Sequence, residues 1–161
     1  MQIADIFNPL TLMKRIQLKS KDANEELEQY NLTLSKKDHV ELLEDKYKFI
    51  LINKKPAFFY HDDRAVPTLK FLQENNLLKK TTIDMGAVKF IINGADIMRP
   101  GIKEIEDGIK KDDVIVIIDE KNKKPLAVGI ALFGTEEMKA MSSGKVIKNI
   151  HYVGDEVWKF A

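Results

Sequence analysis

The sequence predicts an α+β protein, with a small N-terminal α/β domain followed by a C-terminal β-barrel. Three observations favour this architecture. The chain has 161 residues, which is enough for two small domains. Longer helical segments in the first half give way to short strands, and closing short strands into a barrel removes exposed sheet edges. A polar stretch, Gln73 to Lys80, separates the halves, so we predict domains at residues 1–78 and 79–161 with a join between about Asn75 and Thr82.

Composition limits the function classes. The hydrophobic fraction of 44% indicates a globular protein, and 26 basic against 25 acidic residues leave a formal charge of +1, so any nucleic-acid site must be local. There is no cysteine, and His39, His61 and His151 lack metal-ligand spacing, so neither a metal nor a cofactor is predicted. No apolar run reaches the ~18 residues of a membrane helix, and the cytoplasm is the expected location.

The first domain begins with a strand from Arg15 to Lys19. Ser20 is the predicted N-cap of a polar helix that runs from about Lys21 to Tyr30. Pro67 is predicted to open a further helix that carries Leu69, Phe71 and Leu72. Between the two helices the β-branched and aromatic runs predict three strands: Val40 to Leu43, Tyr47 to Ile52, and Ala57 to Tyr60.

The second domain opens with a glycine-rich segment, IDMGAVKFIINGADIMRPGI, at residues 83–102. Val88, Ile91 and Ile92 have helical spacing, so we expect them to face a core while Lys89 points outward. Gly94 suits the left-handed position after a helix, and Gly101 leaves backbone open to close approach. On local pattern alone, a helix cap and a turn are the more common explanation of these glycines, ahead of a binding site.

Short strands dominate the rest of the second domain. Gly129 is expected to mark a bulge or a close contact inside a strand. Thr135 is predicted to cap a short helix that ends at residues 142–144. The predicted strands are Val114 to Ile118, Leu126 to Phe133, Val146 to Val153, and Glu156 to Phe160, the last two forming a hairpin.

These motifs resemble a known RNA-binding module. GAVKFIINGADIMRPGI resembles the opening of the PUA domain, DDVIVIIDEKNKKPLAVGIALF its central hairpin and GKVIKNIHYVGDEVWKF its closing strands. NIHYVGDEVW, PTLKFL and QLKS are similar to the malignant T-cell-amplified-sequence family of translation factors. The resemblance implies a pre-PUA domain followed by a PUA-like β-barrel, in an archaeal-type member of the family.

The resemblance also implies a function. Relatives act at the small ribosomal subunit, where the PUA domain contacts the acceptor end of tRNA or nearby rRNA, and the density-regulated protein is a partner of the eukaryotic members. We therefore expect a non-enzymatic RNA-binding factor of translation. Two alternatives stay open: an accessory subunit that guides RNA to a tRNA- or rRNA-modifying enzyme, and a protein-interaction module with exposed Phe58, Phe59 or Tyr60.

The candidate RNA site combines accessible backbone with local positive charge. The first and last strands of a barrel can be neighbours, which would join the glycine-rich segment to the strand after Gly144. Cations there would neutralise phosphates, and His151 or Tyr152 could stack on an unpaired base. No catalytic residue is predicted, since Ser142 and Ser143 lack a nucleophile motif. The predicted contacts are Lys89, Gly94, Ala95, Arg99, Pro100, Gly101, Lys145, Lys148, His151 and Tyr152.

Overall fold

The computed structural model describes residues 14–161, which mix helices and strands and confirm the predicted α+β class. The chain divides into two compact units, one ending at Pro67 and the other spanning Thr68–Ala161. The division lies before the predicted join, because the short helix after Pro67 belongs to the second unit. A domain boundary after residue 78 stays a prediction.

The first unit contains a five-stranded antiparallel sheet in sequential order. Helix α1, Ser20–Leu27, follows the first strand and continues as a 3-10 turn at Glu28–Tyr30. The predicted cap is wrong, because Ser20 is already helical and the N-cap position belongs to Lys19, which makes no side-chain cap bond. The strands are β1 Lys14–Leu18, β2 Val40–Glu44, β3 Lys48–Ile52, β4 Lys55–His61 and β5 Arg64–Pro67.

Aromatic packing joins the 3-10 turn to this sheet. The Tyr30 ring stacks on Phe58 with 5.7 Å between ring centroids, and its hydroxyl donates to the Ala65 carbonyl. Burial raises the pKa of Tyr30 to about 12. Phe58 and Phe59 are both buried, so neither is the exposed protein-binding anchor considered above.

Sequence reasoning missed strand β5. Asp62 and Asp63 both adopt left-handed backbone, with φ of 47° and 61°, and join β4 to β5 in a tight hairpin in which His61 pairs with Arg64. Two adjacent aspartates are compatible with such a turn. Pro67 therefore ends a strand, and the helix expected to start there begins two residues later, with Thr68 as its N-cap.

The second unit is built on a six-stranded sheet in the order β7-β11-β10-β9-β6-β8. Its end strands, β7 and β8, are consecutive in the chain and joined by a 3-10 turn at Arg99–Gly101, so the sheet curls into the predicted near-closed barrel. The strands are β6 Lys80–Ile83, β7 Ile97–Met98, β8 Ile102–Ile105, β9 Val114–Asp119, β10 Pro125–Ala131 and β11 Lys145–Tyr152. The helices are α2 Leu69–Leu72, α3 Val88–Ile91, α4 Thr135–Ala140 and α5 Glu156–Phe160.

Gly129 lies at a close contact between β10 and β11. A Cβ at this position would lie 2.5 Å from Ile147 Cγ2 and 2.8 Å from the Lys148 carbonyl oxygen, which no larger residue tolerates without movement. The strand register shifts between Val128 and Gly129. The prediction of a bulge with a close contact is therefore confirmed.

Two local predictions in the second unit are wrong. Residues Glu156–Phe160 form helix α5, because the Asp155 side chain accepts the backbone N–H of Trp158 and caps a helix in place of the predicted hairpin. Thr135 is the first helical residue of α4. Its hydroxyl donates to the Glu106 carbonyl and accepts from the N–H of Ile109, so it anchors a loop without capping the helix.

The position of α2 predicts where a stable C-terminal fragment begins. A fragment of residues 68–161 should exceed one of residues 79–161 by about 3 kcal/mol or more in free energy of unfolding. The shorter fragment loses the buried Leu69 and Leu72 side chains and leaves His151 Nε2 without the Leu69 N–H, 3.0 Å away. Urea unfolding of both fragments measures the difference. Equal stability would instead support the boundary after residue 78.

Candidate nucleic-acid interface

The glycine-rich segment folds as a short helix closed by a left-handed residue. Helix α3 ends at Ile91, and Gly94 has a φ of 95°. The N–H of Gly94 donates to the Ile91 carbonyl, and the N–H of Ala95 donates to the Phe90 carbonyl, both at 3.0 Å. These bonds satisfy carbonyls that the helix end would leave unpaired. The predicted left-handed role of Gly94 is confirmed.

The faces of α3 agree only in part with the prediction. Ile91 is buried, Val88 packs against the barrel core, and Lys89 is exposed as expected. Ile92 is 37% exposed, so its predicted place in the core is wrong. The helix stops at Ile91, and Ile92 has already left helical geometry, which rotates its side chain away from the apolar face.

Strand β11 lies directly beside this segment. Ile147 pairs with Ile97 and Lys145 with Met98, and the N–H of Arg99 donates to the Gly144 carbonyl at 2.9 Å. The two halves of the candidate site, distant in sequence, are therefore neighbours in the barrel. Whether they contact RNA stays a prediction.

Asn149 attaches the glycine-rich segment to β11. Its side-chain amide donates to the carbonyls of Ile91 and Ala95, each at 3.0 Å, and its backbone N–H donates to Asp96 Oδ1 at 2.9 Å. Sequence reasoning did not select Asn149. An asparagine inside a β-branched strand is the signal that was available, since Asn is depleted in strands.

Tyr152, at the end of β11, forms a second contact between this strand and the glycine-rich segment. A Cβ on Gly94 would lie 3.1 Å from the edge of the Tyr152 ring, so a larger residue would require the ring to shift by a few tenths of an ångström. Tyr152 is half-buried and packs against the barrel core. Its ring is therefore held in place while part of it faces solvent.

The cations of the site differ in how they are engaged. Lys89 and Lys148 are exposed. Lys145 forms an ion pair with Asp96, with 3.4 Å between Nζ and Oδ2. Arg99 is half-buried, and its guanidinium donates to the carbonyls of Met138 at 2.6 Å and Ile102 at 3.4 Å. Arg99 thus has a structural role besides any contact with RNA.

An apolar cleft opens next to these cations. Phe90 is 58% exposed and Met98 50% exposed, although both are large apolar residues. They border a cleft of about 300 Å³, whose walls also include Ile83, Ala87, Ile91, Ala95, Asp96, Ile97 and Gly101. The helical spacing places Phe90 outside the apolar face of α3. A large apolar residue at such an outward position is the sequence feature that could have identified Phe90 as part of a binding surface.

His151 does not present its ring to a ligand. The side chain is fully buried, Nε2 lies 3.0 Å from the Leu69 backbone nitrogen, and Nδ1 lies 2.9 Å from Asp155 Oδ2. The prediction that His151 stacks on a base is therefore wrong for this conformation. Val128 of β10, which pairs directly opposite His151, is also fully buried, so this position of β11 faces the interior of the unit.

Asp155 organises the turn after β11. One carboxylate accepts the backbone N–H groups of Tyr152 at 3.0 Å and Trp158 at 2.8 Å, in addition to the bond with His151. Burial by itself would raise the pKa of Asp155, but the His151 interaction and the two N–H donors lower it below its ordinary value.

The part of the chain that spans residues 14–161 has no group of three or more His, Cys, Asp or Glu side chains placed to hold a metal ion. None of its helices is long and apolar enough to cross a membrane.

Comparison with family models separates the chain into two matched parts. The PUA domain matches residues 79–153, and a domain of unknown function, DUF1947, matches residues 14–75. The PUA match covers α3, the apolar cleft and β11. The resemblance to the PUA domain is thereby confirmed.

Relatives and a solved structure match most of the chain. An uncharacterized protein of Methanocaldococcus jannaschii is 47% identical over 132 residues, covering 79% of this chain and 80% of that protein. Translation machinery-associated protein 20 of Saccharomyces cerevisiae is 34% identical, with coverage of 80% and 76%. Malignant T-cell-amplified sequence 1 of Rattus norvegicus is 30% identical, with coverage of 75% and 65%. A hypothetical protein of Pyrococcus horikoshii superposes with a TM-score of 0.80 at 35% identity, over 91% of this chain and 99% of that one.

Asp155 predicts a pH-dependent loss of stability. Since its folded pKa lies below the unfolded value of about 4, its contribution is present above that pH and is lost as the pH falls through the folded pKa. Asp155→Asn should lower the free energy of unfolding at pH 7 by about 1–3 kcal/mol, and the deficit should shrink below about pH 4. Urea unfolding between pH 7 and pH 2.5 measures both.

Asp107→Asn is the matched control. Asp107 pairs with Lys139 at 3.1 Å, but its side chain is 88% exposed, and such surface pairs contribute at most about 1 kcal/mol. A deficit for Asp155→Asn that stays constant down to pH 2.5 would contradict the role assigned to its carboxylate.

The ion pair of Lys145 predicts a variant with higher affinity for RNA. Asp96→Asn keeps an oxygen for the Asn149 N–H and removes the negative charge 3.4 Å from Lys145. RNA affinity at low salt should rise up to about fivefold and the gain should fade at high salt. Filter binding at several salt concentrations measures the affinity, and Glu25→Gln, at an exposed position of α1, is a control of equal charge change. An equal gain in the control would show a net-charge effect only.

Proposed function

This chain belongs to the PUA-domain family that includes Translation machinery-associated protein 20 and Malignant T-cell-amplified sequence 1, and from that premise we propose that it is an RNA-binding factor of translation. The second unit carries the RNA-binding surface. The chain positions RNA and performs no catalytic step in this proposal. Its place of action is the cytoplasm, where translation occurs.

The apolar cleft beside exposed lysines is the observation that carries the proposal. Phe90 and Met98 leave about half of their surface in solvent, which is unusual for such side chains and favours a ligand with flat apolar faces. Lys89 lies next to Phe90 on the same helix, with its Nζ 5.1 Å from the ring centroid. A stacking surface beside cations suits unpaired nucleotides, whose bases stack while their phosphates need neutralising.

The proposed ligand is the acceptor end of a tRNA, or an unpaired segment of rRNA at the small ribosomal subunit. Both offer single-stranded nucleotides, and a cleft of about 300 Å³ has room for a base but not for a duplex. The names of the relatives support a place in the translation machinery. A protein partner resembling the density-regulated protein would supply further ribosome contacts.

The proposed contacts follow from how each residue is presented. Exposed lysines neutralise phosphates, Tyr152 offers the edge of a fixed ring, and the segments around Gly94 and Gly101 offer backbone. His151 is excluded because it is buried. The contacts proposed are Lys89, Gly94, Ala95, Arg99, Pro100, Gly101, Lys145, Lys148 and Tyr152.

Loss of two exposed lysines should weaken RNA binding without unfolding the protein. The double variant Lys89→Ala, Lys148→Ala should lower affinity for tRNA by roughly 1–3 kcal/mol and flatten the slope of log K against log salt by up to about two units. Both side chains are exposed, so the melting temperature should change little. Arg99 is not used, because its two carbonyl bonds make its removal destabilising.

Lys121→Ala with Lys124→Ala is the control pair. Both lysines are exposed on the turn between β9 and β10, and Lys123 between them is kept because its φ of 56° makes that position sensitive to substitution. If the control pair weakens binding as much as the first pair, the surface is misplaced. If wild-type protein shows no salt-sensitive RNA binding, the RNA-binding function is wrong.

The ligand and the setting need separate measurements. A tRNA trimmed of its unpaired 3′ nucleotides should bind more weakly than the intact tRNA if the acceptor end occupies the cleft, whereas equal affinity would exclude that ligand. Cosedimentation with small ribosomal subunits in cell extract tests the place in translation. Recovery of an RNA-modifying enzyme without ribosomal subunits would instead favour the accessory-subunit alternative.

A further inference from the structure

His151 connects two elements of the second unit through its two ring nitrogens. Nε2 lies 3.0 Å from the backbone nitrogen of Leu69, the first residue of α2. Nδ1 lies 2.9 Å and 3.0 Å from the two carboxylate oxygens of Asp155. The side chain has no exposed surface, so solvent does not compete for these bonds.

The partners determine the tautomer of the ring. The backbone N–H of Leu69 only donates, so Nε2 must be the unprotonated acceptor. Nδ1 must then carry the proton and donate it to the Asp155 carboxylate. The imidazole is therefore neutral, with its donor and acceptor facing different elements.

The two bonds join His151 to different parts of the unit, helix α2 through Leu69 and the turn after β11 through Asp155. On one side, helix α2 also places Lys70 Nζ 4.8 Å from the ring centroid of Trp158 in α5. On the other side, Asp155 accepts the N–H of Tyr152, whose ring fits against Gly94. The β10 residue that pairs directly opposite His151 is the apolar Val128.

We propose that His151 is a positioning residue that fixes helix α2 through Nε2 and the RNA-facing Tyr152 through Nδ1 and Asp155. The buried ring does not touch RNA, and it sets where the tyrosine ring stands at the edge of the interface. The part concerning Tyr152 rests on the proposed RNA-binding function. The part concerning α2 and the tautomer stands without it.

Two substitutions separate the two bonds. His151→Gln places an amide oxygen near the position of Nε2, which keeps an acceptor for Leu69 and gives up the donor to Asp155. His151→Asn places an amide N–H near the position of Nδ1, which keeps the donor to Asp155 and gives up the acceptor for Leu69. The pair changes the same buried site in opposite ways, so each variant is the control for the other.

The variants should have opposite effects on two measurements. Hydrogen exchange at the Leu69 amide should accelerate about tenfold in His151→Asn and less than about threefold in His151→Gln. Affinity for tRNA should fall about fivefold in His151→Gln and less than about twofold in His151→Asn. Equal effects of both variants on both measurements would reduce His151 to a general packing residue and overturn the proposal.

Nitrogen NMR of the wild-type protein keeps the test independent of the stability of the variants. At pH 7 the His151 ring should show a protonated Nδ1 and an unprotonated Nε2, and the opposite tautomer or a doubly protonated ring would overturn the proposal. If wild-type protein binds no RNA, the proposed function fails. The tautomer and the Leu69 exchange rates still decide whether His151 holds α2.

Discussion

Strand β11 is the element on which the second unit depends, because it pairs with β10 on one side and with β7 on the other. The β10 side requires Gly129, since any side chain there would collide with Ile147 and the backbone of β11. The β7 side has only two strand residues, so Asn149 supplements the backbone ladder with two side-chain bonds to the glycine-rich segment. Lys148 and Tyr152 lie on this strand, and the Asn149 bonds hold against it the glycine-rich segment that lines much of the cleft.

The charges of the second unit are compatible with the proposed local RNA surface on a nearly neutral protein. The formal charge is only +1, so long-range attraction is weak and the contacts must be specific in position. Asp96 pairs with Lys145 and also accepts the N–H of Asn149, which places a negative group inside the interface for structural reasons. Lys89 and Lys148 provide the exposed positive charge. The same Asp96 carboxylate that holds the glycine-rich segment in place would therefore lower the affinity of the proposed surface for RNA.

Sequence patterns predicted the parts of the fold that depend on local chemistry. The left-handed Gly94, the bulge at Gly129 and most strands follow from residue types, and the run of short strands predicted a barrel. Helix α5 was missed, because Val157, Trp158 and Phe160 resemble a strand unless Asp155 is recognised as a cap. The role of His151 depends on Leu69, which is 82 residues away in the chain. Pairings over such distances follow from tertiary packing, which residue spacing in one sequence does not encode.

The brevity of β7 has a consequence for the motions of the barrel. Two strand residues and a few side-chain bonds hold β7 against β11, so this junction has few backbone hydrogen bonds. It should therefore open at a lower free energy than the longer β9-β10-β11 core. A ligand that contacts both the glycine-rich segment and β11 bridges this junction. Binding would then favour the closed barrel by mass action, and part of the binding free energy would be used to suppress this opening. RNA bound across the junction would thus stabilise the pairing of β7 with β11.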